Sequence, residues 1–275
     1  MATPKDNPSS VNDRTHEQCE LDLSQYQRVR DIMSRDVVTT TPEASLDEAA
    51  KIMGEKHIGS LIVVKYGTHV GIVTERDLLS KVLAFGQFLV DQKVEEVMSY
   101  PLSGISPTAK IKEAAKEMIR RKGRLAVFDS RTLVGIVTAS DLIKVLPTAA
   151  KTKMKVDDFM TKDVATVDEE TSVITTARIM GSRRIGSVIV TREGEPFGIF
   201  TERDLLTHFL APGRALFTNL GPDCSSPLIT IPTGTSVQRA AATMALKNVR
   251  RLPVTRYSKL IGIITARDLV EAYTK

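Results

Sequence analysis

The chain has 275 residues, 42% hydrophobic and 26% charged, a balance that fits a soluble globular protein with one large domain or two medium ones. Its longest apolar runs, such as Leu61 to Val64 and Val188 to Val190, fall far short of the roughly 20 residues a membrane-spanning helix needs. A net charge of +5 suits anionic ligands and nucleic acid alike, while the absence of tryptophan and the 5% aromatic content argue against a base-stacking platform.

Residues 1–24 read as a flexible polar leader rich in Asn, Asp, Ser and Pro, without the charged-then-apolar pattern of a secretory signal. Cys19 in the leader and Cys224 in a Gly/Pro/Ser-rich connection form neither a metal-ligand spacing nor a disulfide framework, so a cytoplasmic, reducing location is expected. An extended segment at Val37 to Pro42 is followed by Leu46, Ala49, Ala50 and Met53, spaced as one face of an amphipathic helix. A β-rich run, Leu61 to Val64, a short polar turn and the stretch GIVTERDLL from Gly71 come next.

This order recurs. Gly-x-x-Thr-x-x-Asp-Leu stands at Gly71, Gly135, Gly198 and Gly262, spaced by 64, 63 and 64 residues. The same helical face returns at Ile111, Ala114, Ala115 and Met118, at Val173, Thr176, Ala177 and Met180, and at Val237, Ala240, Ala241 and Met244. A period of this length fixes the architecture before any single residue is considered. The chain is four units at 25–87, 88–150, 151–211 and 212–275, each reading strand, helix, strand, strand, helix. Units of this size bury little surface alone and should pair. Units one and three share Ile-Gly-Ser and Thr-Glu-Arg-Asp-Leu-Leu, while units two and four share Arg-Leu before the strand, the mark of a duplicated two-unit module.

The unit openings Val29-Arg30-Asp31-Ile32-Met33, Val94-Glu95-Glu96-Val97-Met98 and Val156-Asp157-Asp158-Phe159-Met160, with the closing Gly-x-x-Thr-x-x-Asp-Leu, resemble CBS (cystathionine β-synthase) domains, which occur in tandem pairs called Bateman modules. The resemblance spans residues 29 to 273. It implies an α/β (α+β) fold of four β-α-β-β-α repeats paired into two Bateman modules. It further implies a non-enzymatic, regulatory and energy-sensing protein that binds adenosine-containing nucleotides (AMP, ADP, ATP or S-adenosylmethionine) in clefts between paired repeats, with no cofactor beyond that ligand. The fourth unit departs from the pattern: Ala215 to Leu220 stands where Val-x-x-x-Met is expected.

Two readings of the closing motif stand side by side. Thr at a helix start with Asp three residues on approximates a capping box. Thr and Arg at a helix N-terminus also supply the amides, hydroxyl and guanidinium that a phosphate needs. By the resemblance, Asp77, Asp141, Asp204 and Asp268 take the ribose hydroxyls, and Thr74, Thr138, Thr201 and Thr265 lie near the α-phosphate. Arg76, Arg203 and Arg267 stand between them, with Ser140 in unit two. Asp77 and Asp204, in the complete Thr-Glu-Arg-Asp copies, are the leading positions. The junction before each second strand adds Arg124, Arg250 and Arg251 as phosphate ligands, weighed against a solvated helix end that suits the C-terminal dipole. There Gly59, Ser60, Gly186 and Ser187 provide close backbone approach in units one and three. The resemblance further implies that Thr39, Thr166 and Thr230 hold the adenine-contacting segment, with Ile58 and Ile185 as apolar walls.

No phosphate-binding glycine loop, nucleophile elbow or HExxH motif occurs, and His16, His57, His69 and His208 show no ligand spacing, so no metal site and no enzyme is expected. Partners are a small adenosyl ligand and an unidentified effector protein, with the two modules forming an internal pseudo-dimer or a homodimer. A nucleic-acid-binding or transcription-associated regulator is the alternative, motivated by charge alone.

Overall fold

The computed structural model describes residues 28–121, 123–145 and 153–275; the polar leader with His16 and Cys19 lies outside the described residues. Four three-stranded sheets are built alike. In the first, β1 (Thr39–Thr40) runs parallel to β2 (Ser60–Lys65) through the crossover helix α1 (Leu46–Glu55), and β3 (Thr68–Thr74) returns antiparallel before α2 (Glu75–Lys81). A short α3 (Val94–Val97) opens the second unit, followed by β4 (Gly104–Ile105), α4 (Ile111–Arg121), β5 (Leu125–Asp129), β6 (Thr132–Val137) and α5 (Ala139–Val145). The third has β7 (Thr166–Asp168), α6 (Val173–Ser182), β8 (Ser187–Arg192), β9 (Glu195–Thr201) and α7 (Glu202–Leu205), which runs on as a π-turn over Leu206–Leu210. The fourth has β10 (Ile231–Pro232), α8 (Val237–Lys247), β11 (Arg251–Arg256), β12 (Lys259–Thr265) and α9 (Ala266–Thr274).

Three of the four crossover helices begin at serine N-caps: Ser45, Ser172 and Ser236 accept from the amides of Glu48, Thr175 and Arg239. Each of the four buries the face that the periodicity predicts, down to Met53, Met118, Met180 and Met244.

Units one and two pair through their openings. The segment ending at Ser34 lies along Ile136 of β6, and Ser99 lies along Ile72 of β3; Thr161 with Ile263 and Ser225 with Ile199 repeat this in the second half. The motif glycine is required by this close approach. A Cβ at Gly71 would meet the Ser99 carbonyl at 2.9 Å and Met98 Sδ at 3.1 Å, and Gly135 and Gly262 face Met33 and Met160 in the same way.

The fourth unit corrects the sequence reading. Its opening is Leu220-Gly221-Pro222-Asp223-Cys224 and not Ala215 to Leu220. Leu220 is fully buried like Val29, Val94 and Val156, and Cys224 Sγ stands over Gly198 where the other units have a methionine sulfur. The search for Val-x-x-x-Met missed it because both anchor residues are replaced by others that still fill the hole and the groove.

The modules pack helix to helix, unit one on unit three and unit two on unit four. α4 and α5 pack on α8 and α9, merging the second and fourth units into one apolar core. On the other side α2 lies against α6 and α7, with Leu206 entering the core of unit one and Leu79 and Leu83 that of unit three. No helix among the described residues is long and apolar enough to cross a membrane.

Candidate functional site

A continuous cavity of about 810 Å³ lies where all four units meet. It is lined by Thr74, Arg76 and Asp77 of unit one, Thr138 and Asp141 of unit two, Arg203 of unit three, and Thr265, Arg267 and Asp268 of unit four. Ile58, Gly59, Ser60, Arg124, Ile185, Gly186, Ser187, Arg250 and Arg251 complete the expected set that reaches it. Five expected residues do not line it. Thr39 and Thr166 sit on exposed positions of β1 and β7, whose preceding residues Val38 and Ala165 face the cavity in their place. Thr201, Asp204 and Thr230 belong to the one cleft that does not open onto it, the cleft crossed by Cys224 and Ser225.

Every copy of the closing motif forms the cap. The Thr74 hydroxyl and amide both donate to Asp77 Oδ2 at 2.6 and 2.9 Å, and the Asp77 amide returns to the hydroxyl at 3.3 Å. Thr201 and Thr265 do the same toward Asp204 and Asp268; in unit two the Thr138 hydroxyl and amide both donate to Asp141, whose own amide donates to the Thr138 carbonyl. The threonine proton is thereby committed to the aspartate and does not point outward. The aspartate keeps a second oxygen. In Asp77 it is taken by Lys81 at 2.8 Å, whereas Asp141 and Asp268 line the cavity with no ion-pair partner among the described residues. Burial raises the Asp204 and Asp268 pKa values above the ordinary carboxylate value, against the opposing hydrogen bonds from Thr201 and Thr265.

Arg76 and Arg203 serve a purpose the sequence did not disclose. Arg76 Nε donates to Glu202 Oε1 at 2.8 Å, and Arg203 Nε lies 2.7 Å from Glu75 Oε1, so the two modules exchange arginines across their interface. Within each module a second arginine meets the same carboxylate, Arg251 on Glu202 at 3.1 Å and Arg124 on Glu75 at 3.8 Å. Gly59 and Gly186, expected to approach the ligand, make room for these side chains: a Cβ on Gly186 would lie 2.0 Å from Arg251 Nη2. The two glutamates are the functional residues that the sequence reading passed over. A signal was present, because Glu75 and Glu202 occur where units two and four have alanine, and only opposite the Arg-Leu junctions.

Five guanidinium groups, Arg76, Arg124, Arg203, Arg250 and Arg251, thus stand around two carboxylates that are both buried. Arg250 has no ion-pair partner among the described residues, and its side chain is exposed on the cavity wall. Desolvation by the surrounding protein lowers its pKa; Glu75 opposes this, while Arg203, Arg124 and Arg251 add to the fall. Burial pushes Glu202 up, but Arg76 and Arg251 outweigh it and hold its pKa below the ordinary carboxylate value. A depressed carboxylate pKa gives stability that is present above the unfolded-state value and lost as pH falls through the folded one. Glu202→Gln should therefore cost about 2 kcal/mol at neutral pH, less than a fully buried pair because Arg76 is half exposed. The gap to wild type should begin to narrow as pH falls below the unfolded-state value of about 4.3 and close only once pH has fallen through the depressed folded-state value. Urea unfolding at both pH values measures it.

The remaining basic junction residues are held locally. Arg120 and Arg121 pair with Glu117, and Arg183 pairs with Asp163; Lys122 lies outside the described residues. Among the described residues no group of three or more His, Cys, Asp or Glu could hold a metal ion.

Comparison with known proteins agrees with this architecture. The CBS domain family matches residues 29–84, 94–148, 156–211 and 221–275, the last match beginning at the corrected fourth opening. "Uncharacterized protein MJ1404" of Methanocaldococcus jannaschii is 31% identical over 266 residues, covering 88% of this chain and 61% of that protein, so the chain spans less than two thirds of this relative's length. The CBS domain-containing protein YhcV of Bacillus subtilis is 34% identical over 115 residues, 42% of this chain and 81% of YhcV. The crystal structure of protein MJ1225 from Methanocaldococcus jannaschii, proposed as an archaeal homolog of g-AMPK, superposes with a TM-score of 0.74 at 22% identity over 90% of this chain and 99% of that one, a likeness of fold. Four matched repeats, paired by their openings and docked helix to helix, identify the chain as a member of the CBS-domain family with its domains arranged as two Bateman modules.

Proposed function

We propose that this chain is a non-enzymatic regulatory sensor that binds phosphorylated adenosine ligands of the AMP, ADP and ATP class in its central cavity. The supporting observation is the cationic excess there: nine Lys and Arg against seven Asp and Glu line the cavity, and five of the guanidinium groups cluster around the two buried glutamates, with the cap aspartates Asp141 and Asp268 to either side. Vicinal ribose hydroxyls suit a carboxylate, which accepts twice and offers no competing donor, and phosphates suit guanidinium forks. Asp141 faces the segment Asp36 to Val38 and Asp268 the segment Asp163 to Ala165, so two of the clefts present an aspartate, extended backbone and an apolar wall together. Because arginines of both modules reach one cavity, a bound ligand bridges them and biases their relative arrangement, which an effector protein can read. The charge lies inside a cavity of mononucleotide size, which favours this reading over nucleic-acid binding.

Calorimetric titration of the full chain with AMP, ADP, ATP and S-adenosylmethionine tests the proposal. Saturable heat with the phosphorylated ligands is expected; no heat with any of them overturns it. Retarded mobility of duplex DNA at low salt, lost steeply as salt rises, would instead support the alternative.

A further inference from the structure

The two buried glutamates look equivalent by repeat symmetry and are not equivalent in geometry. Glu202 is satisfied: it accepts from Arg76 Nε at 2.8 Å and Nη2 at 3.5 Å, and from Arg251 Nη2 at 3.1 Å. Glu75 has ion contacts only. Arg203 Nε is 2.7 Å away but at an angle that makes no hydrogen bond, and Arg124 stands at 3.8 Å. Glu75 Oε1 and Arg203 Nε and Nη2 are buried without a hydrogen-bond partner. Arg250, which has no carboxylate of its own, lies within electrostatic reach of this same group. On the Glu75 side, then, two guanidinium groups contact one carboxylate that saturates neither, and the unpaired Arg250 lines the same cavity.

Resting on the anion-binding reading above, we infer that Glu75 is a built-in counter-ion seated where a ligand phosphate belongs, and that phosphate competes with it for Arg203, Arg124 and Arg250. A phosphate presents three acceptor oxygens to these donors where the carboxylate presents two in poor alignment. Glu202, with its bonds made, is a tie between the modules and does not compete. Affinity is therefore set by how strongly a ligand's phosphates outcompete Glu75, so it rises with phosphate charge.

The test is calorimetric titration of the full chain, at fixed ionic strength, with inorganic triphosphate and with ADP, comparing wild type, Glu75→Gln and Glu202→Gln. Removing a competing charge beside the anion should tighten triphosphate binding by about tenfold or more in Glu75→Gln; Glu202→Gln, in the same cavity but with its hydrogen bonds made, should gain clearly less, and an equal gain in the two variants overturns the inference. Triphosphate binding by Glu75→Gln with a silent wild type also supports the inference. Nucleotide binding by wild type that is equal or weaker in Glu75→Gln overturns it and leaves the proposed function standing. Silence of both proteins toward both probes overturns the two together. If Glu75→Gln fails the near-UV circular dichroism check for folding, Glu75→Asp decides. It keeps the charge but withdraws the oxygens from Arg203, so a smaller gain supports the inference and no gain overturns it.

Discussion

On the proposed reading, Asp268→Asn and Asp141→Asn should each weaken ADP and ATP binding by about 30-fold, while Asp204→Asn should leave it unchanged. The size follows from hydrogen bonds to a charged acceptor, worth about 1.5–3 kcal/mol each, of which asparagine retains only part. The contrast follows from placement, since Asp141 and Asp268 line the central cavity and Asp204 does not. Asparagine is chosen over alanine because its amide oxygen can still accept from the Thr138 or Thr265 amide, so the helix start is kept. That separates the two readings of the motif, which are both satisfied by the same side chain: one oxygen serves the cap and the other is offered to the cavity. Titration calorimetry with a parallel thermal melt reads both. Loss of binding with an unchanged melt assigns the second oxygen to the ligand. Equal loss in Asp204→Asn would show that the fourth cleft also takes part.

Gly54→Leu and Gly181→Leu should each destabilise the chain by about 3 kcal/mol, the upper range for forcing extra volume into a packed interior. These glycines lie in α1 and α6 at the contact between units one and three. A Cβ on Gly54 would stand 2.2 Å from the Ala211 Cβ, and one on Gly181 would stand 2.6 Å from the Ala84 Cβ and 2.8 Å from the Leu79 carbonyl. Glycine inside a helix costs about 1 kcal/mol relative to alanine, so Gly181→Ala would stabilise an isolated helix. Here its sign reverses, because the opposing backbone has no room to yield. The melting midpoint should fall by roughly 6–12 °C for each leucine variant, at about 2–4 °C per kcal/mol for a chain of this size. A leucine variant as stable as wild type would mean that the two modules are not held together by this contact.

The same distinction runs through the whole molecule. The sequence alone determined the repeat, the strand and helix order, the buried face of each crossover helix and the cap at each motif, because these depend on contacts within one unit and recur four times in register. It also located Arg76 and Arg203 as residues that a cap does not need. Their partners were out of reach, since Glu202 and Glu75 lie 126 and 128 residues away in sequence and meet them only once two rigid modules dock. The docking glycines Gly54 and Gly181 recur only in units one and three, with Ile119 and Ala245 at the same positions of units two and four, a likeness that marks the two units but does not by itself say that they face each other. The fourth opening stayed hidden because leucine and cysteine meet the same packing demand as valine and methionine. Tertiary structure alone decided which clefts open inward, and with them which of four similar aspartates face the shared cationic cavity.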